Sequence, residues 1–130
     1  MYVLDTNTLI YYFKGMGNVA DKLLQTAPRD VAIPAIVLYE LEVGLAKSSD
    51  TKKRRKQLDD FIALMTVLPM GIKEAKAAAD IRATLETKGT PIGAMDTLIA
   101  GTTIASQGVL VTHNTKEFSR VQGLVLEDWF

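Results

Sequence analysis

Four acidic residues fall where chemistry is possible: Asp5 after the apolar run YVL, Glu40 inside PAIVLYELEVGLA, Asp96 in PIGAMDTLIAGTTIA and Glu117 in THNTKEFSR. Each also has an ordinary explanation. Asp5 taken alone is as suited to capping the helix that follows, but set beside the other three acids it is expected to floor the site, with the cap role passing to Thr6 or Asn7. Glu40 flanks a core-facing stripe of Val37, Leu38, Leu41 and Leu45, so its stem can lie on the core while its carboxylate reaches water. Asp96 shares a small, weakly polar helix face with Ile99, Ala100 and Thr103 and also sits in a first turn, where the macrodipole favours an acid. Glu117 in a polar loop reads as surface. Taken together the four pose a physical problem. Carboxylates about 4 Å apart repel by roughly 4 kcal/mol per pair at an effective dielectric near 20, so a cluster requires a cation. The chain has no cysteine and a single histidine, His113. The ligands on offer are therefore oxygens, and Mg²⁺ or Mn²⁺ suits them, held by a few carboxylates while keeping waters and accepting phosphate oxygens. That donor set fits phosphodiester hydrolysis, in which the ion acidifies a water and neutralises charge on the phosphate. Asp5 and Asp96 are the expected main ligands. Glu40 and Glu117 either ligate, bind through water, or receive the proton of the attacking water.

The elements that must position these residues follow from periodicity. Strands are expected at Tyr2 to Leu4, Val31 to Ile33, Thr66 to Leu68, Val109 to Val111 and Leu124 to Leu126. Helices are expected at Leu9 to Phe13, Val19 to Thr26, from Pro34 in a first turn to about Lys47, from about Thr51 to Met65, from Lys73 to Lys88 with Gly89 as its stop, and from Gly93 to about Gln107. Short apolar strands alternating with helices imply an α/β fold with a mostly parallel sheet of about five strands covered on both faces. In such sheets ligands bind beyond the carboxyl ends of the strands. Asp5 lies at one such end and Thr112, His113 and Asn114 at another, which makes DTN and THNTKEF expected neighbours.

With 130 residues, 48% of them hydrophobic, the chain is expected to form a single domain with a proper core. It has no apolar run of membrane-spanning length and no signal-peptide pattern, so a cytoplasmic setting without membrane is expected. Fifteen basic residues balance fifteen acidic ones. That balance argues against non-specific coating of nucleic acid but leaves local patches open.

The order DTN, ELEVGL, PIGAMDTLIA and LVTHNTKEFSRVQGLVLEDW resembles the PIN-domain ribonucleases, and more narrowly the VapC toxins of bacterial toxin-antitoxin pairs. The resemblance runs from Tyr2 to Trp129 and is most specific in the last forty residues. It implies a PIN-like α/β/α sandwich and a metal-dependent endoribonuclease with Asp5, Glu40, Asp96 and a fourth acid at the site. The fourth position here is Glu117, where many PIN domains have aspartate, and the longer side chain leaves direct ligation by Glu117 open. Thr6, Asn7, Thr112 and Asn114 fall at positions that in the family line the site and orient carboxylates or waters. The wording is similar to the tRNA-cleaving branch, including toxins that cut initiator tRNA in its anticodon loop and so inhibit translation. A VapB-like antitoxin and a homodimer are implied as partners, with Tyr11, Tyr12 and Phe13 as lining for the antitoxin groove, as dimer contact, or as core.

An RNA substrate needs cations. The run TKKRRKQ puts Lys52, Lys53, Arg54, Arg55 and Lys56 on one helix, suited to phosphates or simply to solvent, and Arg82 and Lys88 are further candidates. Two rival functions remain. An aspartyl-nucleophile phosphatase would need a second acid two residues after Asp5, where Asn7 stands. An inactive PIN scaffold that only binds a partner or RNA would have no need of all four acids.

Overall fold

The run YVL is too short for a helix and too apolar for a loop, and it forms the central strand of the molecule. The structure is a computed structural model that describes all residues from Met1 to Phe130. In chain order the elements are β1 (Tyr2–Leu4), α1 (Thr6–Lys14), α2 (Val19–Leu24), a 3₁₀ turn (Pro28–Asp30), β2 (Val31–Pro34), α3 (Ala35–Ala46), α4 (Thr51–Leu64) and β3 (Thr66–Leu68). After these come α5 (Ile72–Thr87), α6 (Ala94–Ala105), β4 (Val109–Val111), α7 (Thr115–Phe118) and β5 (Val125–Glu127). The sheet order is β3-β2-β1-β4-β5. Every pairing is parallel, with Tyr2 opposite Val31 on one side and Val109 on the other. The sheet is thus wholly rather than mostly parallel. Such sheets are stable when helices cover both faces. Accordingly Val3, Leu4, Val31, Ile33, Leu110 and Val111 are fully buried, while the edge strands keep exposed residues such as Val125.

Strand order decides where a site can form. The chain winds from β1 out to β2 and β3, then returns to the far side of β1 as β4. The crevice at this switch point opens beyond the carboxyl ends of β1 and β4. The backbone closes tightly there, with the Asp5 N–H donating to the Val111 carbonyl at 3.2 Å.

The helix that delivers Asp96 is held by α5. A Cβ on Gly101 would lie 2.6 Å from the Ala78 Cβ and 2.7 Å from its Cα and N, so only glycine lets the two backbones approach this closely. The expected boundaries differ in a few places. Helix α1 begins at Thr6 rather than Leu9, because its start is set by a cap and not by apolar spacing. Pro34 closes β2 and stands just before α3 instead of inside its first turn, and the last strand sits one residue later than expected. The short α7 and the 3₁₀ turn are not expected from periodicity, since neither is long enough to show a period.

Candidate active site

Asp5 ends β1 with only 4% of its surface exposed. Its Oδ1 accepts the Thr8 N–H at 2.9 Å, so Asp5 itself caps α1 and the role does not pass to Thr6 or Asn7. The physical reason is that Asp5 has the extended backbone a cap requires, whereas Thr6 and Asn7 are already helical. Burial raises the Asp5 carboxyl above its usual range; hydrogen bonds from Thr112 and Thr8 offset this in part, and the nearby Asp128 charge adds to it. Released from capping, Thr6 donates its hydroxyl to Glu40 Oε1 at 2.7 Å. Thr8 donates to the Val111 carbonyl at 3.1 Å, locking the start of α1 to β4. Asn7 is exposed and hydrogen-bonds none of the acids.

Asp96 enters from the first turn of α6. Burial, the hydrogen bond it shares with Glu117, and the charges of Glu117, Asp5 and Glu40 push its carboxyl up to about 7. All three other acids act on this one group, as expected if the four face a common space. Glu117 lies in α7 and not in an open loop. Its Oε2 accepts from Asn114 Nδ2 at 2.9 Å and its Oε1 from the Gly93 N–H at 3.1 Å, and these two bonds hold its carboxyl below the usual range. Asn114 is in turn oriented by Thr112, whose hydroxyl accepts the Asn114 N–H at 3.0 Å. The fully buried Thr112 therefore supports two acids at once, Asp5 directly and Glu117 through Asn114.

No three Asp, Glu or His side chains close on one point tightly enough to encage an ion. The carboxylates that line the crevice are hard oxygen donors, the chemistry that suits a divalent cation retaining part of its water shell. The donor set is oxygen throughout: His113 is committed through Nδ1 to Asp128 at 2.9 Å and stacks on Phe130. Asp128 joins the acids near Asp5 without having been expected there. Its position after β5, the neighbour of β4 at the same sheet edge, is the signal that sequence offers, and closeness to the chain terminus obscures it.

The basic residues divide into two sets. Arg55 is held by both oxygens of Glu42 at 2.7 Å and by Asp59 at 3.4 Å, Lys56 by Asp60 at 2.9 Å, and Arg82 by Glu86 at 2.7 Å. Lys52, Lys53 and Arg54 make no ion pair. Tyr12 and Phe13 form an aromatic cluster with Phe61, and Trp129 is buried beside Tyr2.

Comparison with known proteins places this geometry in context. The family model for the PIN domain matches residues 2–124. The chain is 35% identical over 131 aligned positions to ribonuclease VapC2 of Rickettsia felis, covering 99% of this chain and 98% of that one. It is 34% identical to the tRNA(fMet)-specific endonuclease VapC of Salmonella typhimurium, covering 98% and 97%. Among solved structures, it matches the DNA-bound VapBC of S. typhimurium with a TM-score of 0.93 at 35% identity, covering 99% of this chain and 98% of that one. It matches VapBC2 of R. felis, bound to a promoter DNA fragment, with a TM-score of 0.92 at 36% identity and the same coverage.

Proposed function

Because this chain belongs to the PIN-domain family, and within it to the VapC ribonucleases, we propose that it is a metal-dependent endoribonuclease toxin that hydrolyses tRNA, with initiator tRNA cut in its anticodon loop as the leading substrate. The observation that carries the reading is the convergence of Asp5, Glu40 and Glu117 on Asp96, whose carboxyl is pushed up to about 7. A group so perturbed by burial and like charge marks a site built to hold positive charge. The tRNA assignment draws on the relative from S. typhimurium named for that substrate.

In this mechanism Asp5 and Asp96 would hold the divalent cation. When bound, that cation supplies an acidified water and neutralises charge on the phosphate and the leaving oxygen. The chain's own residues do the rest. Thr8 and Thr112 fix the Asp5 carboxylate in the crevice. Asn114 and the Gly93 N–H fix Glu117. Glu40, steadied by Thr6, stands ready to take the proton from the attacking water as its oxygen bonds to phosphorus and the ribose oxygen departs. An unpaired loop is the form of RNA whose backbone bends most readily into such a crevice.

A VapB-like antitoxin is the proposed partner, since the matched structures are VapBC complexes. An apolar groove lined by Tyr12, Phe13, Leu23, Leu24, Phe61 and Leu64 is suited to the hydrophobic face of an antitoxin helix. No helix is long and apolar enough to cross a membrane. A tRNA substrate places the action in the cytoplasm.

The test is to incubate the purified protein with a total tRNA pool and Mg²⁺, and to map the new ends. Cleavage at one loop, lost with EDTA and lost in Asp5→Asn and Asp96→Asn variants that still fold, supports the reading. Cleavage that survives either substitution near the wild-type rate refutes the ligand assignment.

A further inference from the structure

Beside the acidic crevice lies a second cleft, of about 460 Å³, between α1, α3 and α4. Glu40 stands on its wall, so the cleft and the acids share a residue. Its floor is apolar, with Ile10, Phe13, Leu41, Leu45 and Leu58, and its rim carries Lys14, Lys53 and Arg54. None of these three cations is in an ion pair, in contrast to Arg55 and Lys56 on the same helix α4. The only acid lining the cleft besides Glu40 is Asp50. An excess of unpaired cations around an apolar floor matches an unpaired nucleotide, whose phosphates meet the rim and whose base meets the floor.

Gly44 lines the cleft and leaves its wall bare of side chain. It sits inside α3, where glycine weakens a helix, yet a Cβ placed there would meet no atom within 4 Å. Packing within the chain does not require the glycine. The space beside it is open to an occupant of the cleft.

Resting on the ribonuclease reading above, we propose that this cleft is the subsite for the single-stranded RNA flanking the scissile bond, with Lys14, Lys53 and Arg54 on its phosphates and a base seated over Gly44. The apolar groove next to it, which shares Phe13 and Gln57 with the cleft, lacks such cations. A protein segment fits that groove better than it fits this cleft. The size of the cleft is in the range of pockets that enclose a small organic group, and base-paired RNA cannot enter it.

Two variants separate the possibilities. Lys14→Ala/Lys53→Ala/Arg54→Ala removes the rim charge, and Gly44→Leu adds bulk to the cleft from a position whose Cβ meets no atom within 4 Å. Binding is read by fluorescence anisotropy with a labelled single-stranded RNA, in an Asp5→Asn background so that the probe stays intact. Cleavage is read separately in the wild-type background, splitting KM from kcat. A Lys22→Ala/Lys73→Ala/Lys76→Ala variant serves as the charge-matched control. The triple rim variant is expected to weaken binding at least tenfold and to flatten the slope of log affinity against log salt by about 2, near 0.7 for each phosphate that is no longer neutralised. Gly44→Leu is expected to raise KM severalfold with its salt slope unchanged. If the wild type cuts RNA while both variants keep wild-type KM and salt slope, the subsite is refuted and the ribonuclease reading stands. If the variants bind RNA normally but lose affinity for a cognate antitoxin peptide, the cleft is a protein site and the proposal is equally overturned. If the wild type cuts no RNA but its binding depends on the rim, the ribonuclease reading fails, and the cleft stands as a site for single-stranded RNA but not as a subsite beside a scissile bond.

Discussion

At the scale of single residues, each acid is visible in the sequence, but what holds it is not. Asp5 has two roles, cap and site wall, because a carboxylate has two oxygens and the backbone N–H uses one. The two roles separate by substitution. Asp5→Asn should keep α1 capped, since asparagine caps as well as aspartate, while Asp5→Ala should cost about 1 kcal/mol through the lost cap. Both should lack cleavage, and thermal melts distinguish them. Asp96 allows a pH test. Its carboxyl titrates near 7 in the folded chain against 3.8 ordinarily. The folded state therefore favours the protonated form. The stability it contributes is full below about pH 4 and is lost as pH rises through 7. A shift of that size corresponds to about 4 kcal/mol at 1.36 kcal/mol per unit, reduced to about 1–2 kcal/mol by solvent because the group is half-buried. Without divalent cation at pH 8, Asp96→Asn should melt roughly 3–8 °C above the wild type, and at pH 4 the two should coincide. Equal melting at both pH values, measured by circular dichroism in EDTA, would show that the acids do not press on one another. Asn7 cannot be separated from Thr6 by type or spacing; only the direction of the helix turns one toward Glu40 and the other to solvent.

At the scale of elements, the five strands are legible in the sequence, because short apolar runs bounded by helices have few alternatives. The packing between helices is less so. The glycines make the point: Gly44 and Gly101 both lie inside helices, and nothing in their flanking residues says which one is needed. Gly101 faces the Ala78 backbone at 2.7 Å, which cannot give way, whereas Gly44 faces open space. Gly101→Ala should lower stability by about 1–3 kcal/mol through overpacking, and by displacing α6 it should also reduce activity. Gly44→Ala should raise stability by up to about 1 kcal/mol. Urea midpoints at constant m-value would check both, and a neutral Gly101→Ala would mean that α5 and α6 slide apart freely. Thr6 offers a second test between elements, since its hydroxyl joins α1 to Glu40 on α3 at 2.7 Å. Thr6→Val should leave the melt nearly unchanged and lower cleavage by about 10–100-fold, the usual cost of losing a residue that orients a site carboxylate.

At the scale of the whole molecule, helix α3 has more apolar surface than the chain can bury. Apart from Glu40 and Glu42, AIVLYELEVGLA spreads apolar residues around the helix, so its periodicity marks the buried face only weakly. Of the expected stripe Val37, Leu38, Leu41 and Leu45, only Val37 and Leu45 are buried. Tyr39 remains 57% exposed, and Met95 on the neighbouring α6 is 36% exposed. A helix hydrophobic on every side belongs in an interior, and in a symmetric pair the same face of a second copy would provide one. This is a physical ground, independent of family resemblance, for expecting a homodimer. It also bears on the substrate, because a chain of net charge zero attracts RNA only through local cations, and a pair of copies brings two such sets together. The wild type should sediment at twice the 14.2 kDa of one chain at micromolar concentration. Tyr39→Glu, which places a charge in the middle of the exposed face without touching the core, should sediment as a single chain with an unchanged circular dichroism spectrum. A wild type that remains monomeric under these conditions would leave the face of α3 to a different partner, and mixing with the antitoxin before sedimentation would then show whether that partner covers it.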